Sequence, residues 1–202
     1  MTRTLRSPGP RLSSGTGWRC FFAFAAFLGA GTAAAADFSI GAGVGADNGR
    51  GRCVDSFACD RSDTHGKLFV GSEVGAGFDV QAVYFDAGRL KGGDTTPLGT
   101  EFGGTFKVAG IGVTGGYRWA FAPSWSLSGR LGVAAVRTRF DYADATTGSA
   151  SETTAQPLAG LGIAYAVTPA VRLSLDYDVT RFKVHKTQGS LQMLGVAVQY
   201  SF

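Results

Sequence analysis

The two histidines of this chain, His65 and His185, are the side chains best suited to acid–base chemistry at neutral pH. A hydrolytic site would need a serine and a carboxylate oriented around one of them. No predicted strand pairs a serine closely with a histidine on the same face, and His185 lies in a polar stretch beside Lys183 and Lys186. The sequence therefore predicts a protein that is not an enzyme, with a lipid-modifying enzyme as a minor alternative.

Cys53 and Cys59 are a second pair of residues whose side chains are reactive. They are separated by five residues and flanked by aspartates. A metal site would need more soft ligands nearby, and only His65 offers one. In an oxidising compartment outside the cytoplasm such a pair is expected to form a disulfide. The closed ring is small, so the bond would shape its loop more than it would stabilise the domain.

A third set consists of charged residues that alternate with bulky apolar residues and therefore share the face of the small residues. Buried charges persist only when they are paired or hydrated. Two interpretations are open: an ion-pair plug, or the gate of a narrow pore. Four of these residues fall near short turns (Glu73, Asp79, Arg118 and Arg172), and Arg130 and Asp176 fall near mid-height. The full set is Lys67, Glu73, Asp79, Arg118, Arg130, Arg172, Asp176 and Asp178.

The elements that must position these side chains are strands, because glycine is far too abundant for helices, at 31 residues. Tight connections at Val74–Phe78, Ala120–Ser124 and Val167–Ala170 alternate with longer polar ones at Asp47–Thr64, Arg89–Gly103, Tyr142–Glu152 and Lys183–Ser190. This alternation is typical of an eight-stranded antiparallel up-and-down transmembrane β-barrel. The predicted strands are 37–46, 65–74, 78–88, 104–119, 124–141, 153–167, 170–182 and 191–202.

The two faces of each predicted strand differ in size. Leu173, Leu175 and Tyr177 alternate with Ser174 and Asp176. Eight strands enclose too little volume to hold the bulky set. We therefore expect the bulky apolar face to point outward to lipid, and the face of Gly, Ala, Ser and a few charges to point inward.

Aromatic residues cluster near the tight turns, as expected for an interfacial girdle at one membrane surface. That girdle comprises Phe78, Tyr117, Trp119, Phe121, Trp125 and Tyr165. Tyr84, Phe140, Tyr142 and Phe182 fall toward the long loops and are candidates for a second belt.

The first 36 residues predict a cleavable signal peptide, with an arginine-rich start, a short apolar run and the sequence Ala33–Ala36 before Asp37. The predicted organisation is thus a signal at 1–36 and a barrel at 37–202. Four of the 19 basic residues and none of the 15 acidic residues precede Asp37, so the remainder is balanced in charge. The basic character is therefore no argument for nucleic-acid binding.

Several segments resemble OmpA-like transmembrane-domain proteins. Asp63–Gly71 and Phe78–Gly88 resemble their second and third strands, and Gly110–Arg118 resembles the fourth. The end of the chain resembles the closing strand of outer-membrane barrels, whose alternating apolar residues the barrel assembly machinery is expected to read. Those residues are Leu194, Val196, Val198, Tyr200 and Phe202.

The resemblance implies a small integral protein of the bacterial outer membrane, with long loops outside the cell, periplasmic termini and no cofactor. Its role would be structural or surface-interacting: membrane integrity, adhesion, or contact with lipopolysaccharide, a host or a phage. A narrow pore for small or hydrophobic solutes is the alternative. Basic residues near the outer rim are suited to lipid phosphates: Arg50, Arg52, Arg61, Arg89, Lys91, Arg137, Arg139, Lys183 and Lys186.

Overall fold

A computed structural model describes residues 38–50, 62–95, 101–142, 148–184 and 187–202. These residues form one closed barrel in which every strand pairs antiparallel with its neighbours in sequence, and β1 pairs with β8. The predicted eight-stranded barrel is thereby confirmed. Its strands are β1 (Phe38–Arg50), β2 (Ser62–Gly75), β3 (Phe78–Thr95), β4 (Glu101–Ala122), β5 (Trp125–Tyr142), β6 (Ser149–Ala166), β7 (Val171–Val184) and β8 (Thr187–Ser201).

The outside of the barrel carries a continuous belt of exposed apolar side chains, as the alternation predicts. On β7, Leu173, Leu175 and Tyr177 are exposed, whereas Asp176 and Asp178 are buried in the lumen. The described residues include no helix long and apolar enough to cross a membrane. We call the half of the lumen nearest the short turns the lower lumen. The half nearest the other strand ends is the upper lumen.

The strands extend further at their upper ends than the sequence predicts. The predicted long connection Lys183–Ser190 is wrong, because β7 continues to Val184 and pairs there with Thr187 of β8. The outward residues turn polar above the apolar belt, but backbone pairing does not depend on that change. The change from apolar to polar outward residues therefore indicates the upper edge of the apolar belt, and the strands continue beyond it.

The third strand also passes its predicted end at Gly88 and continues to Thr95. Gly88 has a φ of 55° in a bulge between Asp86 and Arg89, and the Asp63 carboxylate accepts a hydrogen bond there from the Arg89 N–H at 2.6 Å. The extra residue reverses the alternation, as bulges do. Arg89 consequently points outward, and Leu90 points into the upper lumen.

The upper lumen holds a packed apolar core, which corrects the expectation of a small and polar inward face. Phe85 and Leu191 are 1% and 0% exposed there. Phe140 and Phe182, candidates for an outer belt, are also buried inside, and Tyr142 shares their inward parity. The core comprises Phe69, Val83, Phe85, Ala87, Leu90, Val108, Ala134, Val136, Leu158, Phe182, Leu191, Met193 and Ala197, with Phe106 packed against them.

Glycines make room for this core. Phe85 is the direct cross-strand partner of Gly110, and Phe69 is the partner of Gly41. A Cβ atom added to either glycine would overlap the opposing ring. Each large side chain thus occupies space that its partner leaves empty, so a narrow barrel can hold phenylalanines.

Candidate functional site

A cluster of four charged side chains crosses the lumen at the lower end of the apolar core, where Phe69 of the core lies two residues nearer the short turn than Lys67 on the same strand. Lys67 Nζ lies 3.0 Å from Asp176 Oδ2 and 2.7 Å from Asp178 Oδ2. Arg130 Nη2 lies 3.2 Å from Asp176 Oδ1 and 3.1 Å from Asp178 Oδ1. Each cation therefore contacts both carboxylates, and the cluster, called the central cluster below, has no net charge.

Three strands bring the central cluster together from different sides of the barrel. Lys67 comes from β2, Arg130 from β5, and the two aspartates from β7. Gly160 and Gly162 of β6 are the direct partners of Asp178 and Asp176, and a Cβ atom at either glycine would overlap the opposing carboxylate. The Ser174 hydroxyl donates a further hydrogen bond to Asp176 at 3.0 Å. Glycine and serine therefore give the carboxylates both room and a donor.

A second group of charges lies nearer the short turns. Glu73 and Asp79 are direct cross-strand partners, an arrangement of like charges that is unfavourable alone. Arg118 Nη1 lies 3.1 Å from Glu73, and its Nη2 lies 3.7 Å from Asp79. Arg118 therefore bridges the two acids and reduces their mutual repulsion. Together with Arg172 they line a cavity of about 240 Å³ at the lower mouth.

The structure distributes the eight predicted lumen charges over two levels. Arg130 and Asp176 meet near mid-height, and Lys67 and Asp178, to which the sequence assigned no level, join them. Counting residues from the short turns places Lys67 and Asp178 at similar heights, so the signal was available. Glu73, Asp79, Arg118 and Arg172 lie at the lower mouth.

The central cluster and the apolar core meet without a wide gap. Lys67 Nζ lies 5.6 Å from the centroid of the Phe69 ring. The cavity between them measures about 20 Å³ and is bordered by Gln81, Thr114 and Met193, among others. That space is about the size of one water molecule. Side chains thus fill the lumen where the central cluster meets the apolar core.

The predicted girdle residues lie on the outside near the short turns, and all six are exposed. Four of them form two cross-strand pairs of tilted rings, with ring centroids 4.9 Å apart for Phe78 and Tyr117 and 5.0 Å apart for Trp125 and Tyr165. The five alternating residues of the last strand are exposed on the same outer surface. Phe202 also donates its N–H to the Phe38 carbonyl at 2.9 Å. A role for these residues in assembly stays a prediction.

Basic side chains form a row on the outside above the apolar belt. Arg89, Lys107 and Arg139 are successive cross-strand partners on β3, β4 and β5. Asp141 accepts contacts from Lys107 Nζ at 3.0 Å and from Arg139 Nε at 2.7 Å. Lys107 and Arg181 are not among the predicted rim residues, although both have the outward parity. Of the predicted rim residues, Arg89, Lys91, Arg137, Arg139 and Lys183 are exposed, and the Arg50 side chain, Arg52, Arg61 and Lys186 lie outside the described residues.

The remaining chemical candidates lie partly outside the described residues. Cys53, Cys59 and His185 fall there, so the disulfide stays a prediction. His65 is buried in the lumen at 5% exposure, and its Nδ1 has no hydrogen-bond partner among the described residues. In the same part of the chain, no three His, Cys, Asp or Glu side chains are grouped as metal ligands.

Comparisons with known proteins agree on the architecture. A family model described as an outer membrane protein β-barrel domain matches residues 20–202, whereas no curated protein matches. Neisserial surface protein A is similar in structure, with a TM-score of 0.61 and 17% identity over 82% of this chain and 97% of that one. A major outer membrane protein from Thermus thermophilus gives a TM-score of 0.53 and 18% identity over 83% and 100% of the two chains.

A third similar structure is the attachment invasion locus protein Ail of Yersinia pestis, solved in complex with the heparin analogue sucrose octasulfate. Its TM-score is 0.50, with 17% identity over 82% of this chain and 99% of that one. At such identities the likenesses establish the fold.

Proposed function

The chain belongs to the outer membrane protein β-barrel domain family, and we propose that it is a non-conducting structural and surface-interaction protein. It is an integral protein of the outer membrane. Its activity resides on the surface that it presents above the membrane, in contact with lipopolysaccharide and with ligands of host or phage origin.

The observation that carries this proposal is the filled lumen. A pore would need charges held apart around water, whereas Arg130 and Asp176 lie 3.2 Å apart. Above them the lumen is packed with residues such as Phe85 and Leu191, which are almost completely buried. This arrangement favours the ion-pair plug over the narrow pore. It also keeps His65 away from any lipid substrate, which supports a role without catalysis.

The row of basic side chains on the outside supports a surface role, because it is suited to binding phosphate groups. Lipopolysaccharide carries phosphates at the height where the apolar belt ends, and arginine binds phosphate through paired N–H donors. Arg89, Lys107 and Arg139 lie side by side at that height, facing outward. The row would hold lipid phosphates against the barrel wall and leave the loops free for other ligands.

Conductance in planar bilayers tests the plug. We expect little current from the folded wild-type protein, compared with a porin of known conductance in the same membrane. A large and stable wild-type conductance would instead establish the pore.

Binding of purified lipopolysaccharide in phosphatidylcholine nanodiscs tests the row. The double variant Arg89→Gln/Arg139→Gln is expected to bind more weakly than wild type, because two of the three cations are gone. Asp141→Asn is a control of opposite sign, because it frees Lys107 and Arg139 from their shared acid and should tighten binding. Unchanged binding in both variants would remove the row from the proposal.

A further inference from the structure

The wall of the barrel is not paired along its whole height between β6 and β7. The register runs from Ala166 opposite Arg172 to Leu158 opposite Thr180 and stops there. Both strands nevertheless continue upward: β6 stays paired with β5 as far as Ser149, and β7 stays paired with β8 as far as Val184. The two strands therefore separate in the upper part of the barrel.

The position of this separation is set by Pro157. Proline has no backbone N–H, so it cannot donate the next hydrogen bond of the ladder. Its carbonyl accepts a hydrogen bond from the Thr180 hydroxyl at 2.9 Å instead. The last carbonyl of the ladder, that of Pro157, is thus hydrogen-bonded. Above it, the facing edges of β6 and β7 are not paired with each other.

A cleft of about 340 Å³ occupies the opening. Its lining comes from both faces of the wall: Gln156 and Phe182 have inward parity, whereas Arg181 and Lys183 have outward parity. Gln188 and Ser190 of β8 complete the outer side. The cleft, called the β6–β7 window below, therefore reaches through the barrel wall.

The two cations at the β6–β7 window differ from those of the row on β3–β5. Lys107 and Arg139 share Asp141. Arg181 and Lys183 are exposed and form no ion pair with any described residue. A polar cleft with two uncompensated positive charges at its outer edge is complementary to an anion.

We infer that the β6–β7 window binds the phosphate of a phosphorylated glycolipid headgroup in the outer leaflet. The window lies directly above Leu175 and Tyr177, the exposed apolar residues of β7, and therefore at headgroup height. Guanidinium and ammonium groups bind phosphate, and the amides of Gln156 and Gln188 with the Ser190 hydroxyl suit the adjoining sugar. The inference rests on the proposed contact with lipopolysaccharide and adds a separate site, whose cations on β7 lie two strands away from Arg139 on β5, the nearest cation of the row.

Binding of lipid A tests this site. Folded protein, verified by heat-modifiability on a gel, is placed in phosphatidylcholine nanodiscs and titrated with diphosphorylated lipid A or with lipid A stripped of phosphate. The variant Arg181→Gln/Lys183→Gln should bind diphosphorylated lipid A about 30-fold more weakly, at about fivefold for each cation near the membrane surface. The dephosphorylated lipid should bind weakly and equally to wild type and variant.

Two further variants locate the site. Arg89→Gln/Arg139→Gln makes the same change of charge in the β3–β5 row, where Asp141 already compensates part of the charge, and should weaken binding by much less than Arg181→Gln/Lys183→Gln does. Gln156→Leu removes an amide that faces the lumen, so it should weaken binding about tenfold only if the headgroup enters the window. Binding that is unchanged in Gln156→Leu would overturn the site, because the phosphate would then touch only the outer rim.

The remaining outcomes separate the inference from the proposed function. An equal loss in both charge-pair variants would mean unspecific attraction, which overturns the window site and leaves the lipopolysaccharide contact standing. A loss in Arg89→Gln/Arg139→Gln alone would also overturn it and assign the phosphate to the β3–β5 row. No loss in either variant would remove both the window site and the phosphate contact.

Discussion

The two halves of the lumen solve the same packing problem with opposite chemistry. The upper lumen is filled mainly by apolar side chains such as Phe85, Val108 and Leu191, beside buried polar residues such as His65. The lower lumen holds the central cluster and the group around Arg118. In both halves glycine faces the large group: Gly110 faces Phe85, and Gly160 faces Asp178.

This difference teaches where the barrel tolerates change. An apolar core loses energy in proportion to the atoms removed and can partly collapse around the space. A buried ion cluster depends on complete pairing, because one missing partner leaves an uncompensated charge. We therefore expect the lower lumen to be more sensitive to single substitutions, although its net contribution to stability is small.

The largest effect is expected for Lys67→Met, which leaves Arg130 as the only cation in contact with the two aspartates. Such a change typically costs about 3–5 kcal/mol, measurable as a lower free energy of unfolding in urea with the protein in lipid or detergent. The double variant Lys67→Met/Asp178→Asn restores the balance of charge and should recover part of the loss. Strictly additive effects would show that the four charges do not act as a unit.

Truncation in the upper lumen should come next. Phe85→Ala removes a ring that is 1% exposed, at a cost of about 3 kcal/mol, the lower end of the range for such changes. We expect that lower end because the flexible side chain of Met193 in the same core can move into part of the space. The same unfolding assay applies, and a loss well above that of Lys67→Met would reverse the proposed ranking of the two halves.

A smaller loss of stability is expected for substitution of an inward glycine, and almost none for substitution of an outward glycine. Gly110→Ala brings a methyl group against the Phe85 ring and should cost about 1–3 kcal/mol by overpacking. Gly115→Ala on the same strand is the matched control, because nothing lies within 4 Å of the added methyl. Equal losses in both variants would mean that strand propensity, and not contact with Phe85, is being measured.

The smallest loss of stability is expected for an ion pair that is exposed to solvent. Asp141→Asn breaks the contacts to Lys107 and Arg139, whose side chains are 41% and 52% exposed. Solvent and salt screen such pairs, so we expect no measurable shift in the urea midpoint. A shift as large as that of Lys67→Met would mean that burial does not set the sensitivity.

The alternation of residue size predicted the architecture, the outward apolar face and the three tight turns, because these depend only on a period of two and on turn residues. It failed where both faces of a strand are apolar. Phe69 stands between Leu68 and Val70, and Phe85 follows Tyr84, so the runs carry no alternation. A continuous apolar run in a barrel strand is the signal that a core lies behind it.

Other features depend on interactions that sequence patterns do not carry. The bulge at Gly88 needs the Asp63 carboxylate from the neighbouring strand, and the β6–β7 window needs the hydrogen bond from the Thr180 hydroxyl to the Pro157 carbonyl. Residue counts from the short turns give Lys67 and Asp178 similar heights, but their contact across the lumen also depends on how the strands tilt as the barrel closes. Each of these brings together residues far apart in the chain, which only the register fixes.

The seam between β1 and β8 has a consequence for the time course of folding. It pairs Ser39 with Ser201 and Arg50 with Ser190, so it joins the two ends of the barrel sequence, whereas every other seam joins strands that are consecutive in the chain. Contacts of such large sequence separation form slowly. The bridge from Lys67 on β2 to Asp176 on β7 spans that seam and can form only after the barrel closes. The central cluster therefore forms late in folding. Its ion pairs are expected to lower the unfolding rate of the closed barrel more than they raise its folding rate.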